Sequence, residues 1–316
     1  MDRELWTIVM GAVRRASRRV KPAEGPGRRV TFPHRLVVAM YLWAAWHDRC
    51  PGRGGRACDR DHYGPLFRPR KLPGVSRFVS RFARRVRSDA CRAIPRDVHE
   101  QLRACGVASG LGFFDGKPPA VSPVSKDPDA ARGRVTGGFA KGYKLHAYVN
   151  EHRRITVWSV MPLDVDEKRV ARELIDHLPP DPLGRVLDLG DANYDAAPLH
   201  KAEAAKGRTL LTHLRGQGQV GEHPGTPTGH HPVTLRQMGA ARREAVAAWH
   251  DHPGLCRHVP DARDNVEGVF SVLAVAGGLG HLPAFARRLE RVRRYVGAKI
   301  VLYHARLLAK ERAAAA

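Results

Sequence analysis

Three acidic residues sit where carboxylates are expensive to keep. Asp115 closes the apolar run of "VASGLGFFDG" and is followed by Gly116. Asp191 closes a second run in "GRVLDLGDANYD", and Glu267 lies in "RDNVEGVFSVL" beside Val266, Val269 and Phe270. A carboxylate in such surroundings loses hydration unless a cation compensates it. A divalent metal is a natural compensation. Two or three convergent carboxylates can hold a pair of Mg²⁺ (or Mn²⁺) ions about 4 Å apart, serving the attacking and leaving oxygens of a phosphodiester. Acids at strand ends also act as plain caps, and the spacing alone leaves both roles open.

The second stretch holds three aspartates with different prospects. Asp188 falls inside the strand on the parity opposite Asp191, so it faces away from any site at the strand end and reads as structural. Asp195 reads as the cap of the following helix. Asp191 is then the metal candidate, with Asp188 its main rival.

Positioning these acids requires strands that end together. "GYKLHAYVN" alternates Tyr143, Leu145, Ala147 and Val149 against Lys144, His146 and Tyr148, a strand period, and "RITVWSVM" alternates again. A helix follows, with Asp164 and Glu167 as a capping-box-like start and Val170, Leu174, Ile175 and Leu178 as its apolar face. A strand over Arg185 to Leu189, a helix from about Ala196 to Ala205 and the strand "RTLLTHL" complete a β-β-β-α-β-α-β order. That is an α/β layout in which acids at strand ends can converge. Residues 215–232 read as a long exposed loop. Beyond it the chain is helical, including "RDNVEGVFSVLAVA" and a final helix from about Pro283 to Glu311. Trp249 in "AVAAWH" reads as a packed core residue.

The charge balance points to the substrate class. The chain carries a formal net charge of +23, and residues 1–110 hold 24 Lys and Arg against 9 Asp and Glu, a local +15. Such a density fits a polyanion partner, with nucleic acid the leading reading and a solvated arginine-rich surface the alternative. Residues 1–106 read as a helical, basic DNA-binding domain, with one helix from Pro33 to about Asp48. In "SRFVSRFARRV", Phe78, Val79, Phe82 and Val86 fall on one helical face and Arg77, Arg81, Arg84 and Arg85 on the other. A short amphipathic helix with an arginine front suits contact with DNA. Residues 107–316 form the expected second domain, where Lys141 and Lys144 flank a strand near the acids and can meet phosphate or face water.

Other chemistries find less support. Five cysteines, at 50, 58, 91, 105 and 256, contain no Cys-x-x-Cys and suggest a reducing cytoplasm. Two mixed groups imitate zinc ligands without established spacing: His47, Cys50, Cys58 and His62, then His250, His252, Cys256 and His258. The longest apolar run, Leu36 to Trp46, is about half the length a bilayer needs, so no membrane association is expected.

Taken together, "FFDGKP", "GYKLHAYV", "DANYD" and "RDNVEGVFSVL" resemble bacterial insertion-sequence transposases of the DDE type. The terminal "GGLGHLPAFARRLERVRRYVGAKIVLYHARLL" is similar in character to the family's closing helix. The likeness covers about residues 107–310, and the three acids stand in the family's order at intervals of 76 and 76 residues. Pro260 and Ala274 occupy positions where many relatives have a Tyr and a Lys that touch DNA near the cleaved bond.

The resemblance implies a ribonuclease H-like mixed sheet with flanking helices, preceded by the basic helical domain. It implies Asp115, Asp191 and Glu267 as a catalytic, metal-binding triad and Arg263, one turn before Glu267, as a phosphate contact. It implies an enzyme that binds double-stranded DNA at its element's inverted-repeat ends. A metal-dependent cut would expose a 3′-hydroxyl for attack on target DNA, in a homodimer that synapses two ends in the bacterial cytoplasm. The alternatives are an inactive, transposase-derived DNA-binding protein, and a nuclease of the same fold without strand transfer.

Overall fold

The computed structural model describes residues 3–19, 34–50, 89–103, 109–135, 137–212, 239–252, 254 and 258–316. The chain divides into two compact units. Residues 1–105 and 277–316 make one, and residues 106–276 the other. The arginine helix expected over Ser76 to Val86, with Arg77, Arg81, Arg84 and Arg85, lies outside the described residues. So do the loop expected at 215–232 and the Cys58, His62 and Cys256 of the two zinc-like groups. Among the described residues no helix is long and apolar enough to cross a membrane.

The first unit is helical: α1 (Arg3–Arg19), α2 (His34–Trp46), α3 (Asp89–Arg103) and a long α8 (Leu289–Ala315) pack against one another. In α2, apolar residues occur all round the helix and nine of its thirteen residues are buried, as an interior helix requires. The turn after it is fastened to α8. Asp48, at a φ of 51°, accepts hydrogen bonds from Tyr295 and, at 2.5 Å, from Lys299. The closing segment was expected in the second domain as a helix from Pro283. It packs instead with the N-terminal helices, and its helix begins at Leu289 because a turn at Pro283–Ala286 and a φ of 67° at Arg288 interrupt the helical path.

The second unit is α/β. Its elements in order are β1 (Leu111–Lys117), β2 (Ala131–Val135), β3 (Gly138–Asn150), β4 (Ile155–Pro162), α4 (Glu167–His177), β5 (Leu187–Gly190), a 3₁₀ turn (Ala192–Tyr194), α5 (Ala197–Ala204), β6 (Thr209–Thr212), α6 (Ala240–Asp251) and α7 (Val259–Val275). One mixed sheet contains the six strands among the described residues. β3 lies antiparallel between β1 and β4, and β1, β5 and β6 run parallel in that order. β2 pairs with the extended first part of β3 and was not expected, because "ARGRV" has little strand propensity by itself.

Alternation along β1 sorts the two faces. Phe114 points to one face, where it joins Tyr148, Leu174, Ile175, Tyr194 and Leu199 in the core under α4 and α5. Each large apolar side chain so buried contributes about 1.5–3 kcal/mol. Phe113 and Asp115 have the other parity, and α7 packs against β1 and β5, burying Val266, Val269, Phe270 and Leu273.

Two expected caps are corrected. The start of α4 is capped by Asp166, whose side chain accepts from the Lys168 N–H; Glu167 turns instead to Lys144. The start of α5 is at Ala196 with no side-chain cap, because the Asp195 carboxylate is drawn into the interior by Arg242.

Candidate functional site

β1 and β5 are parallel neighbours, with Phe113 opposite Leu189, so their C-terminal ends lie side by side. Asp115 is two residues beyond that pair on β1, and Asp191 two beyond it on the β5 side. The adjacency has an electrostatic signature. Burial pushes the Asp115 carboxyl up to about 6, and the Asp191 charge pushes the same way; the Gly116 N–H, the Arg263 guanidinium and Lys144 pull it down. Two carboxylates and an arginine therefore share one site.

Each member is held locally. Asp115 accepts from the Gly116 N–H at 2.7 Å, and Asp191 caps the 3₁₀ turn by accepting from the Asn193 N–H at 2.7 Å. Asp191 is thus a cap and a member of the site at once, the two readings left open by the sequence. Arg263 stands on α7 with its Nε buried and without a hydrogen-bond partner among the described residues. Beneath the acids lies Tyr194, buried, in the field of Asp115, Glu167, Asp191 and Arg263.

Lys144 crosses to Glu167 and forms an ion pair with it. Its stem runs over Gly116, where a β-carbon would stand 2.3 Å from the Lys144 Cε. A glycine after Asp115 therefore leaves room for the Lys144 stem to cross β1 and reach Glu167. Lys141 is farther along β3, and its Nζ donates to the Ser125 carbonyl at 2.8 Å.

Glu267 is placed differently from the two aspartates. It lies on α7 one turn beyond Arg263 and is exposed. Among the described residues no three His, Cys, Asp or Glu side chains come together closely enough to hold one metal ion. What assembles is a pair of acids facing Arg263, with Glu267 on the helix packed against their strands.

The pair suits a hard divalent cation. Its donors are all oxygen, and Asp115 is raised by burial and by its like-charged neighbour, strains that a bound cation relieves.

Asp188, the rival within the opening stretch, belongs to another cluster. It is fully buried and pairs with Arg208 through bonds of 2.7 and 2.8 Å, while the Tyr148 hydroxyl donates to it at 2.7 Å. Glu203 completes the cluster, with its carboxyl raised well above the usual range by burial and by Asp188. Two residues that sequence reasoning missed as partners are Arg208 and Arg242. The available signal was an arginine directly before an apolar strand and another in an alanine-rich helix start. Trp249 donates its indole N–H to the Thr212 carbonyl at 2.8 Å, fixing α6 to β6.

Comparison of the chain with protein-family models, curated proteins and solved structures returned no match.

Proposed function

We propose that the second unit is a ribonuclease H-like catalytic core and that the protein is a DDE-type DNA transposase acting on the ends of an insertion sequence. The observation that carries the reading is the meeting of Asp115 and Asp191, from the ends of adjacent parallel strands, opposite Arg263 on α7. An antiparallel trio of strands joined to two parallel ones, with helices on both faces, is compatible with that core. The +23 charge fits a phosphodiester polymer as substrate.

Asp115 and Asp191 would hold Mg²⁺ or Mn²⁺, with Glu267 as the third ligand the family likeness implies. When bound, the metal supplies charge stabilisation to the phosphate being cleaved. The chain's own residues do the rest. Arg263 binds a phosphate beside the carboxylates, Lys144 orients the neighbouring strand while Glu167 holds it in place, and the Asn193 N–H fixes the Asp191 carboxylate. Two copies would act together on two DNA ends, in the bacterial cytoplasm.

The test is cleavage and joining of inverted-repeat end duplexes by purified protein in Mg²⁺. Asp115→Asn and Asp191→Asn should each abolish cutting; an Asp115→Ala variant that cuts as well as the parent would remove the triad. The exposure of Glu267, apart from the two aspartates, favours a second reading, a transposase-derived protein that binds DNA without cutting it. Normal end binding with no cleavage by the parent protein would select that reading. Cutting without joining would select a nuclease.

A further inference from the structure

Between β1 and β3 the chain inserts a segment that ends in the β2–β3 hairpin. Arg132 stands opposite Lys141, and Arg134 opposite Phe139. Residues directly opposed on antiparallel strands share a face, so three cations and an aromatic ring lie together. The other face is made of small residues: Ala131, Gly133, Ala140 and Gly142 are among them. A β-carbon on Gly133 would come within 2.4 Å of the Leu163 carbonyl oxygen. That face is therefore pressed onto backbone, and the cationic face is turned outward.

Three of the four outward side chains are open to solvent. Phe139 is 82% exposed, and Arg132 and Arg134 are exposed. Lys141 is tethered through Ser125, and Asp127 in the adjoining loop is buried, accepting from the Tyr143 hydroxyl at 2.8 Å. An exposed phenyl ring flanked by guanidinium groups matches a nucleic acid strand, with phosphates for the cations and a base for the ring.

The register puts this face on the same side of the sheet as Asp115. Asp115 is opposite Ala147 on β3, and Lys141 and Phe139 have the same parity as Ala147. The hairpin projects beyond the C-terminal end of β1, and six residues of strand, about 20 Å, separate Lys141 from Ala147. The face between them is covered, since Tyr143, Leu145 and Ala147 are buried, so the hairpin is a contact in its own right and not part of an open track to Asp115.

We infer that the β2–β3 hairpin is a DNA-strand clasp in which Arg132, Arg134 and Lys141 hold phosphates and Phe139 stacks on an unpaired base near a DNA end. The inference rests on the reading that DNA is the substrate and names the contact that holds it. It does not depend on the protein's being able to cut.

The test is fluorescence anisotropy of the full chain with a labelled blunt duplex and with the same duplex ending in unpaired thymines, in the absence of divalent metal. Phe139→Ala should weaken binding of the frayed duplex by about 5- to 100-fold, leave the blunt duplex within about twofold, and be rescued by Phe139→Trp. Arg132→Ala with Arg134→Ala should weaken both DNAs and flatten the slope of log affinity against log salt by about 2. Circular dichroism of the variants checks that this exposed hairpin has been altered without unfolding the sheet. If Phe139→Ala binds the frayed duplex as tightly as the parent, or weakens both DNAs equally, the clasp is overturned and the transposase reading is untouched. If the hairpin variants lose DNA as expected but the parent cuts no end DNA in Mg²⁺, the clasp stands and the transposase reading falls.

Discussion

The guanidinium of Arg242 grips both carboxylate oxygens of Asp195 at 2.7 Å each, across 47 residues of chain and inside the protein. His200 lies 3.4 Å from the same carboxylate. The pair docks α6 against the turn that follows Asp191, and α6 leads to α7, the helix of Arg263 and Glu267. Asp195 is thus a positioning residue for α6.

Breaking that pair from one side leaves a buried carboxylate without its guanidinium. Arg242→Met should lower unfolding free energy by about 3–5 kcal/mol, read by urea denaturation. Replacing both partners, Asp195→Leu with Arg242→Met, should recover most of the loss, because two apolar groups of similar size need no compensation. Equal losses in the single and double variants would mean that the ion pair contributes nothing specific.

Asp188 and Asp191 should separate cleanly under the same measurement. Asp188→Asn removes the carboxylate that bonds Arg208 at two points, leaving Glu203 as the acid beside it, and should cost up to about 3–5 kcal/mol. Asp191→Asn preserves a side-chain oxygen for the Asn193 N–H, so its stability should change by less than about 1 kcal/mol while cleavage is lost. The reverse pattern would exchange the roles of the two aspartates.

How much of this was legible follows from the range of each interaction. The alternation of β3 and β4 and the apolar face of α4 are local and could be read directly, as could the opposite parity of Asp188 and Asp191. Asp195 and Glu167 read locally as helix-capping acids because their partners, Arg242 and Lys144, are distant in sequence, and a local pattern offers a nearer use for each acid. β2 was invisible because it exists through its pairing with β3. The packing of α8 with the N-terminal helices is likewise a long-range choice, which the helical period of the segment does not encode.

The raised Asp115 sets a pH dependence. Its carboxyl binds a proton more tightly when folded, near 6, than in the unfolded chain, near 3.8. Stability contributed by this group is therefore greatest below about pH 4 and declines as pH rises toward 6. Asp115→Asn should leave the melting temperature unchanged at acid pH and raise it by about 2–6 °C at alkaline pH. Carboxylate NMR of metal-free protein should show Asp115 titrating near 6, moving down in Asp191→Asn and up in Arg263→Gln. A titration near the ordinary value would mean that the acids are farther apart, or wetter, than this geometry requires.

Divalent metal gives the most direct view of Glu267. A cation held by Asp115 and Asp191 binds only the folded chain, so Mg²⁺ at about 100 times its dissociation constant should stabilise the protein by about 2.7 kcal/mol. That stabilisation, followed by thermal unfolding in Mg²⁺ and in Ca²⁺, should vanish in Asp115→Asn and in Asp191→Asn. Glu267 is exposed, and among the described residues the three acids do not come together closely enough to hold one metal ion, so its part in binding requires it to come closer when metal arrives. If it takes that part, Glu267→Gln should weaken the Mg²⁺ effect severalfold without changing the melting temperature of metal-free protein. Full Mg²⁺ stabilisation in Glu267→Gln would reduce the ligand set to the two aspartates and leave α7 to contribute Arg263 alone.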